Sequence, residues 1–252
     1  MKRIAAVLLC VFLFPASVVP VAAQELIVSA AASLTDAFSV LKDDFEKEHP
    51  GTQLVFNFGA SGALYRQIEQ GAPVDVFASA DMRWMGEAIR IGRVEAMESK
   101  VFAQNRIVLA VPQNNPAGVS TLKDLESAGV RRVGVVTPDT SPAGNYTRQS
   151  LKDLELWEVL EPKYIFAENV TQLLSYLRLG EVDAGFFFAS DAVRGADSVA
   201  VVREMPMKEP ALFPIAPLSD SKQPDLAQAF VRFILSEKGQ TVLSGYGFSK
   251  AE

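Results

Sequence analysis

One junction recurs along this chain and limits what it can fold into. An apolar run of strand length meets a small or hydroxyl-bearing residue, and an amphipathic helical pattern starts at once. It occurs at Ser29–Ala30–Ala31–Ala32–Ser33–Leu34, at Phe58–Gly59–Ala60–Ser61–Gly62–Ala63 and at Thr137–Pro138–Asp139–Thr140–Ser141–Pro142–Ala143–Gly144. Strands that alternate with helices in this way specify an α/β fold with largely parallel sheets. A helix start carries free N–H groups and a partial positive charge, so it holds an anion without a basic side chain. Several starts facing one cleft make a neutral site for a small oxyanion, which points to binding rather than to catalysis.

The rhythm can be followed along the chain. After Leu26–Ile27–Val28, the residues Leu34, Phe38, Leu41 and Phe45 recur at helical spacing, and His49–Pro50–Gly51 stops that helix. Residues 53–58 read as a strand, 63–70 as a helix ended by Gly71, and 74–78 as a strand. Residues 81–91 read as a helix with Asp81 as its N-cap and Gly92 at its close. Residues 101–112 form a longer extended segment suited to crossing between two lobes.

The alternation then restarts. Thr121–Leu122–Lys123–Asp124 has the form of a capping box, 132–137 is a strand and 143–154 a helix. Residues 169–179 form a helix ended by Gly180, 183–189 an apolar strand and 199–203 a short strand. A proline-rich return covers 205–217, and helical patterns follow at 224–235 and 237–244. The restart and the return divide the chain into one lobe of residues 24–104 plus 206–252 and a second of residues 105–205. Each is expected to be a mostly parallel sheet flanked by helices, with the ligand in the cleft between them.

The N-terminus reads as a secretory signal. Lys2 and Arg3 form a basic start, residues 4–14 an apolar core too short to span a bilayer, and Val21–Ala22–Ala23 a small-residue site with cleavage expected after Ala23. The only cysteine, Cys10, lies inside that apolar core behind Leu9, which is too large for a lipoprotein signal. The expected mature chain therefore has no intrachain disulfide. Without Lys2 and Arg3, 22 basic residues remain against 30 acidic ones, a net charge of −8. That balance argues against nucleic acid or an anionic membrane as a partner. It leaves a small anion open, because helix-terminal N–H groups act locally.

Enzyme readings fare badly. Gly59–Ala60–Ser61–Gly62–Ala63 has part of the form of a nucleophile elbow, which makes a serine hydrolase the remote alternative. The last position is Ala63 rather than Gly, and the only histidine, His49, precedes the serine instead of following it. One histidine and no mature cysteine leave no zinc site. Asp75 and Asp81 make a loose carboxylate pair without a phosphate loop or metal motif, and Asp81 reads better as a cap. A ferric-ion receptor would need converging phenolates and carboxylates, and the five tyrosines are scattered. Arg66, Arg148 and Arg194 read as solvated faces or as salt bridges to neighbours. On capping chemistry alone, Ser33 and Ser61 are ordinary helix caps. Ala143 and Val170 are first-turn or core positions, and Phe188 closes the buried aromatic run of residues 186–188.

A set of pieces, in order, resembles the substrate-binding protein of molybdate ABC transporters over essentially the whole mature chain. They are Ala30–Ala31–Ala32–Ser33–Leu34–Thr35–Asp36–Ala37, Gln67–Ile68–Glu69–Gln70–Gly71–Ala72–Pro73–Val74–Asp75–Val76–Phe77, and Ser79–Ala80–Asp81 with Trp84–Met85. They continue with Pro142–Ala143–Gly144–Asn145–Tyr146, Ala167–Glu168–Asn169–Val170, Ser190–Asp191–Ala192 and Tyr246–Gly247–Phe248. The resemblance implies a two-lobed periplasmic binding protein that is monomeric, needs no cofactor, and carries molybdate or tungstate to a membrane permease driven by a separate ATPase. It implies ligand contacts from Ser33 and Ser61 and from the backbone N–H groups of Ala143 and Val170. The fifth family contact is a tyrosine, and Phe188 stands at that position. Phenylalanine cannot donate a hydrogen bond, so the departure opens a second expectation, a receptor for a different oxyanion.

Overall fold

The computed structural model describes residues 24–251. The segment read as a secretory signal, with Cys10 and the expected cleavage after Ala23, lies outside the described residues. β1 (Gln24–Ala31) passes through a 3-10 turn, Ala32–Leu34, into α1 (Thr35–Glu48). β2 (Thr52–Gly59) feeds α2 (Ser61–Glu69), and β3 (Val76–Ala78) feeds α3 (Met82–Arg90). β4 (Lys100–Asn105) and β5 (Ile107–Pro112) divide the expected extended segment at Arg106, because the two halves join different sheets.

β6 (Val133–Val136) leads to α4 (Pro142–Asp153) and the short α5 (Trp157–Leu160). β7 (Tyr164–Ala167) leads to α6 (Val170–Arg178), and β8 (Ala184–Phe188) to α7 (Ala189–Arg194). β9 (Val199–Glu204), β10 (Ala211–Pro217), α8 (Pro224–Leu235) and α9 (Glu237–Gly245) complete the chain.

The result is a two-lobed α/β fold. The first sheet has the order β2-β1-β3-β10-β4 and the second β7-β6-β8-β5-β9. β1 is parallel to β2 and β3, while β10 runs antiparallel between β3 and β4. β6 is likewise parallel to β7 and β8, and β5 runs antiparallel between β8 and β9. Each sheet is thus mixed: a three-stranded parallel unit carries the helix junctions, and an antiparallel pair sits beside it. The chain passes between sheets twice among the described residues, at Arg106 and through residues 205–210.

The apolar spacing of α1 explains how the first lobe is held. Phe38 and Phe45 lie seven residues apart on one face, and both pack edge-on against Phe230 of α8, with ring centroids 5.8 and 5.2 Å apart. Phe38 also meets Phe56 of β2 and Phe102 of β4. Burying each such ring contributes about 2–3 kcal/mol. Strands covered on both faces read as continuous apolar runs, and all five residues of β8 are buried.

The register places the functional ends. Ala30 of β1 lies beside Phe58 of β2 and Ala78 of β3, and Val136 of β6 lies beside Ala167 of β7. The carboxyl ends of the parallel strands in each sheet are therefore level, and the helices start from a common edge, where open α/β sheets bind ligands. Gly144 sets how closely α4 approaches its strand. A Cβ there would stand 2.0 Å from the Val136 carbonyl oxygen and 3.0 Å from Pro138 Cα, both backbone atoms. The substitution G144A is expected to cost ~1–3 kcal/mol through overpacking. Urea denaturation checks it, and stability equal to that of the parent would show that the contact relaxes freely.

Candidate functional site

Five of the strand–helix junctions deliver the residues singled out in the sequence. Ser33 follows β1, Ser61 opens α2 after β2, Ala143 is the second residue of α4 after β6, Val170 opens α6 after β7, and Phe188 ends β8. Between the two sheets is a narrow cavity of about 10 Å³, room for little more than one water-sized sphere. From the first lobe it is lined by Ala31, Ala32, Ser33, Gly59, Ala60, Ser61 and Ala80, and from the second by Ser141, Pro142, Asn169, Val170 and Phe188. Four of the five residues thus line one cavity. Ala143 is the exception: it sits directly behind Pro142, with its side chain buried.

The two serines are not helix caps of the ordinary kind. The N-cap of α2 is Ala60, and neither that helix nor the turn carrying Ser33 has a side-chain cap. Ser61 Oγ instead accepts a hydrogen bond from the Ala80 N–H at 3.0 Å, a link from the first residue of α2 to the segment just after β3 that short-range sequence patterns do not register. Ser33 Oγ is buried and has no hydrogen-bond partner among the described residues. A buried hydroxyl without a partner costs about 1–3 kcal/mol, so its place on the cavity wall needs an acceptor there.

Backbone donors surround it. Pro142 occupies the first turn of α4, where its missing N–H costs nothing, and Ser141 makes no side-chain cap. Asn169 caps α6 by accepting from the Gln172 N–H at 3.0 Å, which leaves the Val170 N–H to find another acceptor. The first N–H groups of α2, α4 and α6 have no partner inside their own helices.

No charged side chain lines this cavity. Asp81, the N-cap of α3, accepts from the Trp84 N–H at 3.0 Å, and burial pushes its carboxyl up to about 6. Asp75 is occupied elsewhere, accepting from Ile27 N–H at 2.8 Å and Ser221 Oγ at 2.7 Å. Arg148 pairs with Asp139 at 2.9 Å. His49 ends α1, stacks near Phe45, and lines a different cavity from Ser61. Among the described residues no group of three His, Cys, Asp or Glu side chains can hold a metal ion, and no helix is long and apolar enough to cross a membrane.

Direct contacts already join the walls. The Gly62 N–H donates to the Thr140 carbonyl of the second lobe at 2.8 Å. Only glycine fits this approach, since a Cβ would stand 2.6 Å from the Trp84 ring and 2.7 Å from that carbonyl. Phe188, 1% exposed, packs against Phe213 of β10 and Tyr146 of α4, at 5.3 and 6.4 Å between centroids. It forms an apolar wall where the resemblance places a hydroxyl.

Comparison with known proteins gives a consistent result. A family model described as bacterial extracellular solute-binding protein matches residues 26–249. YvgL of Bacillus subtilis, a candidate ABC transporter substrate-binding lipoprotein, is 33% identical over 226 residues, covering 89% of this chain and 86% of that one. The molybdate-binding protein ModA of Escherichia coli is 31% identical over 233 residues, 89% of each chain. Among solved structures, the substrate-binding domain of a candidate molybdenum ABC transporter from Clostridium difficile is 34% identical with a TM-score of 0.69, covering 91% of this chain and all of that one. The periplasmic molybdate-binding protein of Azotobacter vinelandii shares the fold at a TM-score of 0.79 and 22% identity, covering 90% of this chain and all of that one.

The two serines are expected to behave oppositely in the ligand-free protein. Ser33→Ala removes a buried hydroxyl that has no protein partner and should leave stability unchanged or raise it by up to ~1 kcal/mol. Ser61→Ala orphans the Ala80 N–H and should cost ~1–2 kcal/mol. Thermal melts without added anion distinguish the two. Gly62→Ala should hold the cleft open, seen as a larger radius of gyration in X-ray solution scattering.

Proposed function

The chain belongs to the bacterial extracellular solute-binding proteins, and from that premise we propose that it captures molybdate, and tungstate with it, in the cavity between the lobes. The observation that carries this reading is the buried Ser33 hydroxyl, without a protein partner, on a wall shared with the starts of α2, α4 and α6. Ser33 and Ser61 act as hydroxyl donors, Ala143 and Val170 through their N–H groups, and Phe188 closes the site as an apolar wall. The names of the relatives support the choice of ligand, and the donor-only chemistry agrees with it.

Molybdate, tungstate and sulfate carry no proton near neutral pH, so every oxygen accepts hydrogen bonds. Phosphate retains a proton and needs an acceptor, and no carboxylate lines this cavity. A protonated oxyanion would leave one polar group unpaired, which disfavours it. The charge is spread over neutral dipoles, so it needs no ion pair.

In this reading the residues of the first sheet (24–104 plus 206–252) and those of the second (105–205) are two lobes that close on the anion by hinge bending at Arg106 and residues 205–210. The closed form delivers its cargo to an ABC permease in the membrane after export of the mature chain to the periplasm. No step requires a cofactor or a catalytic residue. Phe188 favours one second reading, a receptor for another oxyanion, because the ring offers no donor.

Calorimetric titration of the chain from residue 24 tests both readings. Tight one-to-one binding of molybdate and tungstate, with weak sulfate and phosphate binding, is expected. Ser33→Ala should weaken molybdate binding by ~10-fold or more, the value of a hydrogen bond to a charged group. Unchanged affinity would remove Ser33 from the site. Phe188→Tyr should tighten molybdate binding, whereas a loss would mean that the pocket is shaped around phenylalanine. Silence toward both metal oxyanions turns the assignment to the second reading.

A further inference from the structure

We propose that Arg194 is a cross-cleft clamp, a positioning residue that holds the two lobes shut through contacts that exist only in the closed form. The proposal rests on the reading of the chain as a hinge-closing anion receptor. Arg194 ends α7 in the second lobe, and its side chain is only 10% exposed. One guanidinium nitrogen, Nη1, donates to the Ala32 carbonyl of the first lobe at 3.4 Å and to Thr171 Oγ1 at 3.2 Å. Its Nε lies 4.0 Å from Asp36 Oδ2, again in the first lobe, and Nη2 lies 3.4 Å from Asp191 Oδ1 one turn earlier on α7.

Asp191 is entirely buried and neither of its oxygens has a hydrogen-bond partner among the described residues, so Arg194 is its counter-charge. Nη1 thus bridges Thr171 of its own lobe and the Ala32 carbonyl of the other, while Nε and Nη2 make no hydrogen bond among the described residues and act on Asp36 and Asp191 through charge alone.

What it grips matters. The Ala32 carbonyl belongs to the 3-10 turn that carries Ser33, and it also accepts from Thr35 Oγ1 at 2.7 Å. Thr171 is the residue after Val170 at the start of α6. The clamp thus ties together two walls of the cavity without lining it. Opening would withdraw Ala32 and Asp36 and return water to the guanidinium. The contact therefore acts after the lobes have met, and it slows reopening without affecting the first encounter with the anion.

Stopped-flow fluorescence from Trp84, whose ring packs beside the cross-lobe Gly62–Thr140 contact, reads both rates with molybdate as the probe. R194A leaves a buried carboxylate unpaired, so D191N/R194A is measured beside it, with thermal melts to establish that each variant is folded. In both, molybdate release should accelerate ~10-fold, as expected for loss of a charge-assisted hydrogen bond, with the association rate nearly unchanged. Unchanged release in the folded double variant overturns the proposal.

Failure of the parent protein to bind molybdate would fault the ligand assignment instead, and a second measurement then decides the clamp. Residues 24–252 contain no cysteine, so spin labels on S39C and S175C, exposed positions on α1 and α6, report the distance between lobes without any ligand. D191N/R194A should shift that distribution to longer distances, and an unaltered distribution overturns the clamp.

Discussion

An N–H group at the start of a helix has no partner within the helix, and in a closed, dry cleft it must find an acceptor. The architecture of this protein follows from placing several such groups in one cavity. Each parallel strand ends level with its neighbours, each is followed within a few residues by a helix, and the two sheets turn these edges toward one another. Small residues are required throughout, because Ala32, Ser33, Gly59, Ala60, Ser61 and Ser141 let the backbone itself form the walls. The surrounding core, from the phenylalanine cluster of the first lobe to the fully buried β8, holds these edges in register.

Much of this was legible in the sequence where the signal is local. The helical spacing of Leu34, Phe38, Leu41 and Phe45 gives α1, Asp81 caps α3, and Gly51, Gly71, Gly92 and Gly180 all adopt the positive φ that ends a helix or turns the chain. Thr121–Asp124 forms half of its expected box, with Asp124 accepting from the Ser120 and Thr121 N–H groups around a 3-10 turn.

What escaped was short or non-local. β10 lies inside a segment read as a proline-rich return, because Pro214 and Pro217 mask a strand whose pairing shifts register at Phe213/Pro214. β7 is four residues long and half exposed, and α7 has only six residues, too few for a period to register. The Ser61 hydroxyl bonds nineteen residues away, and Arg194, read as a solvated or paired side chain, meets the first lobe 162 residues away. A pattern within one segment cannot encode such partners.

Phe188 concentrates the chemical individuality of the site. Its ring touches Phe213 of the other sheet and Tyr146 of its own lobe, so it belongs both to the cavity and to the apolar packing between lobes. Serine hydroxyls and helix-start N–H groups give most of the cavity wall hydrogen-bond donors, while the Phe188 ring gives none.

The position of β10 has a consequence for the order in which the molecule is made. It lies between β3 and β4, so the first sheet stays split into two pieces until residues 211–217 have been synthesised. The second sheet is assembled entirely from residues 107–204 and is complete earlier. Long-range pairings of this kind form slowly, since a large loop must close before they contribute. A nascent chain built this way cannot finish its N-terminal lobe until residues 211–217 have been translated, so the lobe whose strands are made first is the last to complete its sheet.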